Sequence, residues 1–225
     1  VAKSGIPRDR ITLVYEGVEI PAPVSEGERH AARGSLHIPQ GETLLGCIGY
    51  LLPEKGQDQL VRAMPSILKQ SPKCRLLFAG DGPERRRLET LAAGLGIRDR
   101  VLFAGFVERM AEVYAALDLF VFPSIAEPLG TSLLKAMAYG LPVVAVASGG
   151  VPEYVESGIN GILAAQPKPE ALAEAILPLL KDRAIRERLG KRARKDMADR
   201  FSADVMVENT ILGYQDVLRE REAAR

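Results

Sequence analysis

The chain has 225 residues, 47% apolar and 26% charged, with a formal net charge of +1. That length accommodates one large α/β domain with a sizeable core, and the near-neutral balance gives no global electrostatic case for a nucleic-acid partner. No run of 18 apolar residues and no signal-peptide pattern is present, so any membrane role would be peripheral.

In chain order, Ile11–Tyr15 is predicted as a short strand followed by a turn at Glu16-Gly17. Residues 21 to 41 hold three prolines and two histidines, which predicts a loop with one short helix. His30 and His37 lack the carboxylate or cysteine spacing of a metal site and are expected to be structural or surface residues. Regular alternation begins at Thr43. Strands are expected over Leu44–Tyr50, Arg75–Ala79 and Val101–Ala104, with helices over Gly56–Gln70, Pro83–Gly94 and Met110–Leu117. Pro83 suits the first turn of its helix. Cys47 and Cys74 lie in or beside apolar runs, which predicts buried thiols and a reducing, cytoplasmic setting.

The stretch from Leu117 to Val155 organises the rest. Leu119–Phe122 forms a strand buried on both faces, and a loop follows with Glu127, Pro128 and Gly130. Thr131 and Ser132 open a helix whose Leu133, Leu134, Met137 and Ala138 recur at helical spacing, and Gly140 stops it. Val143–Val146 is the next strand. Ser148-Gly149-Gly150 then leads to an expected helix with Pro152 in its first turn and Glu153 beside its dipole. Gly161–Leu163 is a last strand, and helices follow over Pro169–Leu180, Asp182–Arg200 and Ala203–Glu222. Strands separated by helical segments imply βαβ units and a doubly wound, Rossmann-like parallel sheet with extra carboxyl-terminal helices. A single domain spanning residues 1–225 is expected.

Four constellations carry possible chemistry. The helix start at Gly130-Thr131 offers unpaired N–H groups and a positive dipole end, a phosphate site that needs no cationic side chain. Glu127 beside it would repel phosphate, so it is either an acceptor for sugar hydroxyls or a surface carboxylate. Lys55, in Pro53-Glu54-Lys55-Gly56, either reaches a phosphate as a point charge or is solvated. Gly80-Asp81-Gly82 is a weak dinucleotide fingerprint, since Arg85 stands where a third glycine belongs. It is either a tight turn or a loop that a ligand approaches. With Glu127 and its helix start counted as one, the fourth is the glycine-rich loop Ser148-Gly149-Gly150-Val151-Pro152-Glu153, which opens a helix and in which Glu153 is either a structural cap or a site carboxylate.

These pieces, in this order, resemble a family. The segments FAGDGPE at 78–84, FAGFV at 103–107, FPSIAEPLGTSLLKAMAYGLPVV at 122–144 and SGGVPEYVESGINGIL at 148–163 look like the nucleotide-sugar half of family 4 glycosyltransferases. The resemblance implies a GT-B fold, two Rossmann-like domains facing a cleft, and retaining transfer from a nucleoside diphosphate sugar, of UDP or GDP type, with no metal or cofactor. It assigns Lys55 to the diphosphate and the Gly130-Thr131 backbone to the same phosphates. Glu127 is assigned to the donor sugar. Gly80, Asp81, Gly82, Phe106 and Val107 would flank the base and ribose. It also implies that an amino-terminal domain, which would bind a sugar, glycan or lipid-linked acceptor, is absent from this chain, leaving this domain alone inactive.

Two departures stand out. Lys135 occupies the second position of the Glu-x7-Glu motif, where an acceptor for ribose hydroxyls is expected, and Lys135 should still face the cleft. Tyr50 stands where an arginine commonly partners the lysine. Both leave open a non-catalytic nucleotide-sugar binding module as the alternative function. Finally, Lys181 to Arg200 carries nine Lys or Arg against four Asp or Glu. That helix is either solvated and packed on the sheet or a peripheral contact at the inner membrane face.

Overall fold

The computed structural model describes residues 5, 7 and 10–223, apart from the side chains of residues 220, 221 and 223. The ends of the expected 1–225 span, residues 1–4, 6, 8, 9, 224 and 225, lie outside the described residues. The six strands are β1 (Thr43–Ile48), β2 (Cys74–Ala79), β3 (Val101–Gly105), β4 (Leu119–Phe122), β5 (Val143–Val146) and β6 (Ile162–Ala164). They form one sheet in the order β3-β2-β1-β4-β5-β6, and every pairing is parallel.

Each strand is short and apolar on both sides because helices cover both faces. On one face Leu45, Phe78, Leu119, Val121 and Val144 meet α2 (Gln57–Gln70), α3 (Arg85–Gly94) and α6 (Pro169–Lys181). On the other, Leu44, Leu77, Phe120, Phe122 and Val143 meet α1 (Glu26–Ser35), α4 (Met110–Ala116), α5 (Thr131–Ala138) and α7 (Arg183–Arg200). The strand residues alternate between these clusters, as a period of two requires. Cys47 and Cys74 are both free and buried, as expected.

Three expected elements differ. Ile11–Tyr15 joins no sheet; three residues beyond it, Val18 makes an isolated bridge with Ser202, just before α8 (Ala203–Ala223). Its β-prone residues favour an extended backbone, but a strand also needs a partner edge, and among the described residues none pairs with it. The helix expected after Gly150 is one 3-10 turn, Val151–Glu153. Asn160 ends it: its side chain accepts from the Glu156 N–H at 2.7 Å and donates to the Tyr154 carbonyl at 3.0 Å, competing with helical bonding. Pro83 precedes α3, whose first helical residue is Arg85.

The charge on α7 has structural uses. Arg194 donates to the carbonyl of Ala138, the last residue of α5, at 2.7 Å. Arg186 donates to the Leu179 and Leu180 carbonyls near the end of α6. Arg188 donates to the Gly158 carbonyl at 3.1 Å. Cations at helix carboxyl ends satisfy orphan carbonyls and the dipole together. Leu189, Ala193 and Met197 pack inward, so α7 is a helix docked on the domain. Among the described residues no helix is long and apolar enough to cross a membrane.

Candidate functional site

β1 and β4 are neighbours, yet α2 and α5, which follow them, cover opposite faces of the sheet. This is the switch point at which open α/β sheets leave a crevice beyond their strand ends. Lys55 lies in a 3-10 turn, Pro53–Lys55, after β1, and Glu127 lies in the loop after β4. Lys55 Nζ donates to Glu127 Oε2 at 2.6 Å. The two side chains are 28% and 11% exposed, so Lys55 is held in an ion pair and is not a solvated loop lysine. Ser124 Oγ lies 3.3 Å from the same carboxylate oxygen. Ser148 Oγ donates to the Ser124 carbonyl at 2.8 Å, tying the loop after β5 to the loop after β4.

Beside the pair, α5 begins. Its N-cap is Gly130, at φ 86°, with no side-chain cap. That left-handed conformation favours glycine. A Cβ there would also lie 2.9 Å from the Tyr154 hydroxyl oxygen and 3.1 Å from the Phe122 ring. The Gly130 carbonyl accepts from the Leu133 and Leu134 N–H groups at 2.9 and 3.1 Å, leaving those of Thr131 and Ser132 without an intrahelical acceptor. Gly149, at φ 52°, seats a second backbone against this loop, since a Cβ there would be 1.7 Å from the Glu127 carbonyl oxygen. Tyr154 is buried and donates from its hydroxyl to the Leu129 carbonyl. Burial raises the ionisation of that hydroxyl well above the ordinary tyrosine range, with the Glu127 charge adding to it.

The glycine loop after β2 forms the other wall. Gly80 N–H donates to the Gly105 carbonyl at 2.7 Å, and the Leu51 N–H to the Asp81 carbonyl at 2.9 Å. Loops after β1, β2 and β3 therefore sit together at one sheet edge. Arg85 donates to the Phe103 carbonyl at 3.3 Å and lies 3.4 Å from Asp81. The arginine at the third-glycine position thus ties the loop after β2 to β3. Phe106 is 82% exposed and Tyr50 58% exposed, while Val107 packs against the core. Lys135 is exposed on α5, one turn beyond Thr131. Glu153 caps no helix; its carboxylate accepts from the Tyr15 hydroxyl at 2.8 Å.

The profile described as "Glycosyl transferases group 1" matches residues 28–196. The chain belongs to the group 1 glycosyl transferases. Among its relatives, an uncharacterised glycosyltransferase of Methanocaldococcus jannaschii is 34% identical over 93% of this chain and 55% of that protein. The D-inositol 3-phosphate glycosyltransferase of Nocardia farcinica is 36% identical, over 98% of this chain and 51% of that protein. Among solved structures, Anabaena HepE in complex with UDP and glucose superposes with a TM-score of 0.87 at 26% identity, over 96% of this chain and 59% of that one. The group 1 chain described here thus has the Rossmann-like unit of GT-B glycosyltransferases and spans about half the length of the curated relatives it matches.

Within this group 1 domain, sequence reasoning missed Ser124 and Tyr154, and placed Ser148 only in a glycine-rich loop without its partner. The serines are almost fully buried, at 1% and 9% exposure. Their available signal was position: each follows a buried strand within two residues of its end, where a polar side chain must find a partner.

Proposed function

We propose that this chain is the donor-binding half of a retaining glycosyltransferase that uses a nucleoside diphosphate sugar. The observation that carries the reading is the Lys55–Glu127 pair at 2.6 Å beside the uncapped start of α5, at the sheet's switch point. Cation and helix dipole suit a diphosphate, and the carboxylate suits sugar hydroxyls. Binding of UDP and glucose by HepE, a structural neighbour, supports the same assignment.

In this reading Lys55 leaves Glu127 for the donor phosphates, and the Thr131 and Ser132 N–H groups stabilise charge on the departing diphosphate. Glu127, freed, accepts from the sugar. Gly80–Gly82, Phe106 and Val107 flank the base and ribose, with Lys135 on the ribose side. A further domain, outside these 225 residues, brings the acceptor hydroxyl to the anomeric carbon, so this half alone is inactive. The acceptor is a glycan, a small molecule or a lipid-linked sugar reached at the membrane face. No metal or cofactor takes part.

The test is calorimetric titration with UDP, GDP and ADP and their sugar conjugates. Saturable binding of one diphosphate, abolished by Lys55→Ala, is expected. Absence of binding at millimolar concentration overturns the reading. The exposed Tyr50 and Lys135, in place of an arginine and a glutamate, favour one second reading, a binding module without transfer activity. Donor binding without donor hydrolysis or transfer in the full-length protein would select it.

A further inference from the structure

Tyr154 is the largest fully buried polar side chain of the domain, and it lies against the candidate site without being part of it. Its hydroxyl donates to the Leu129 carbonyl, one residue before the N-cap of α5. Its ring packs edge-on against Phe201, with centroids 5.9 Å apart. Phe201 in turn packs edge-on against Tyr15 at 5.2 Å, and its carbonyl accepts from the Val18 N–H at 2.9 Å. The Val18 carbonyl accepts from the Ala203 N–H at 3.1 Å. Segment 15–18 and the α7–α8 corner are therefore zipped together under Tyr154, and Val18 and Phe201 are 3% and 1% exposed. On its far side Tyr154 holds the turn that aims Gly130, Thr131 and Ser132.

We infer that Tyr154 is a positioning residue for diphosphate binding, fixing the Leu129-Gly130 turn against the corner where residues 15–18 meet α8. This rests on the donor-site reading above. A backbone N–H pair serves as an anion site only when its orientation is held before the ligand arrives. Gly130 has the freest backbone of any residue type and no side chain to hold it. The Tyr154 hydroxyl supplies that restraint from a side chain buried in the core. It also links the site to the amino-terminal segment, so displacement of residues 15–18 would reach the α5 start through two aromatic rings.

The experiment compares wild type and Tyr154→Phe, which keeps the ring and removes the hydroxyl. Affinity is measured for UDP, GDP and ADP and for the matching nucleosides. The ratio of diphosphate to nucleoside affinity should fall by about tenfold in the variant, with nucleoside affinity retained. Equal weakening of both, or a lower melting temperature with the ratio unchanged, overturns the inference and leaves Tyr154 a packing residue. Phe201→Leu, which loosens the ring from below, should lower the same ratio; an unchanged ratio again overturns it. Wild type binding no diphosphate would remove the donor reading itself, and this inference with it. Wild-type binding that Tyr154→Phe leaves intact removes this inference alone.

Discussion

Lys55 and Glu127, 72 residues apart, share a hydrogen-bonded ion pair of 2.6 Å at the strand ends of β1 and β4. Each holds the other in place. In the proposed donor complex a diphosphate has to compete with Glu127 for Lys55.

The first consequence concerns stability. Lys55→Met strands the Glu127 carboxylate, which is 11% exposed, with only the Ser124 hydroxyl as a side-chain partner. The expected loss is about 1–2 kcal/mol. Lys55→Met combined with Glu127→Gln should recover most of it, because the uncompensated charge is gone. Urea denaturation of the two single variants and the double variant measures this coupling. Additive losses would show that the pair contributes nothing beyond its separate residues.

Glu127→Ala separates sugar from phosphate recognition. Discrimination between donor sugars should fall about tenfold or more, in line with one lost hydrogen bond to a charged group. Affinity for the bare diphosphate should hold or rise, because Lys55 no longer has a competing partner. Parallel titrations with the diphosphate and its sugar conjugates read both. An equal fall in the two would remove Glu127 from the sugar.

Lys135→Glu should raise nucleotide affinity several-fold. Lys135 is exposed on α5 one turn past Thr131, so the new carboxylate can accept ribose hydroxyls without disturbing the core. The comparison belongs in the same titration series, with the matching 2′-deoxynucleotide as control. No change, or the same change for the deoxy ligand, would place position 135 outside the ribose contact.

Alkaline pH should weaken the fold through the thiols. Burial pushes the ionisation of Cys47 and Cys74 up from 9.0 to about 12. Both thiols are protonated in either state below about pH 9. Above that the unfolded chain ionises while the folded one does not, so stability falls between about pH 9 and 12. Chemical denaturation across that range should show the decline, and Cys74→Ala should make it shallower than in wild type. Thiol reagents should leave both cysteines unmodified until the protein unfolds.

Much of the fold was legible because its signals are local. Apolar runs ending at Gly80, Gly105 and Pro123 mark strand ends, and all six sheet strands follow such runs. Gly140 stops α5 by ordinary stop chemistry, whereas its start at Gly130 carries no side-chain cap. Ile11–Tyr15 failed for the opposite reason: its residue types favour extension, but pairing is a property of the neighbour. The helix after Gly150 failed because Asn160, six residues beyond Tyr154, takes that turn's carbonyl.

The sequence by itself determined where the chain extends, coils and turns, because backbone propensity, apolar period and glycine punctuation act over a few residues. It also determined which side chains could carry chemistry: a lysine, a carboxylate and an uncapped helix start. Only the tertiary structure decided that Lys55 and Glu127 are bonded to each other, that the Arg85 guanidinium reaches the Phe103 carbonyl, and that Tyr154 braces the α5 turn from below. Those contacts depend on β1 lying beside β4 and on the corner at Phe201 closing under the site. Strand order and corner packing are settled by burial across the whole sheet, and no local period in the chain encodes them.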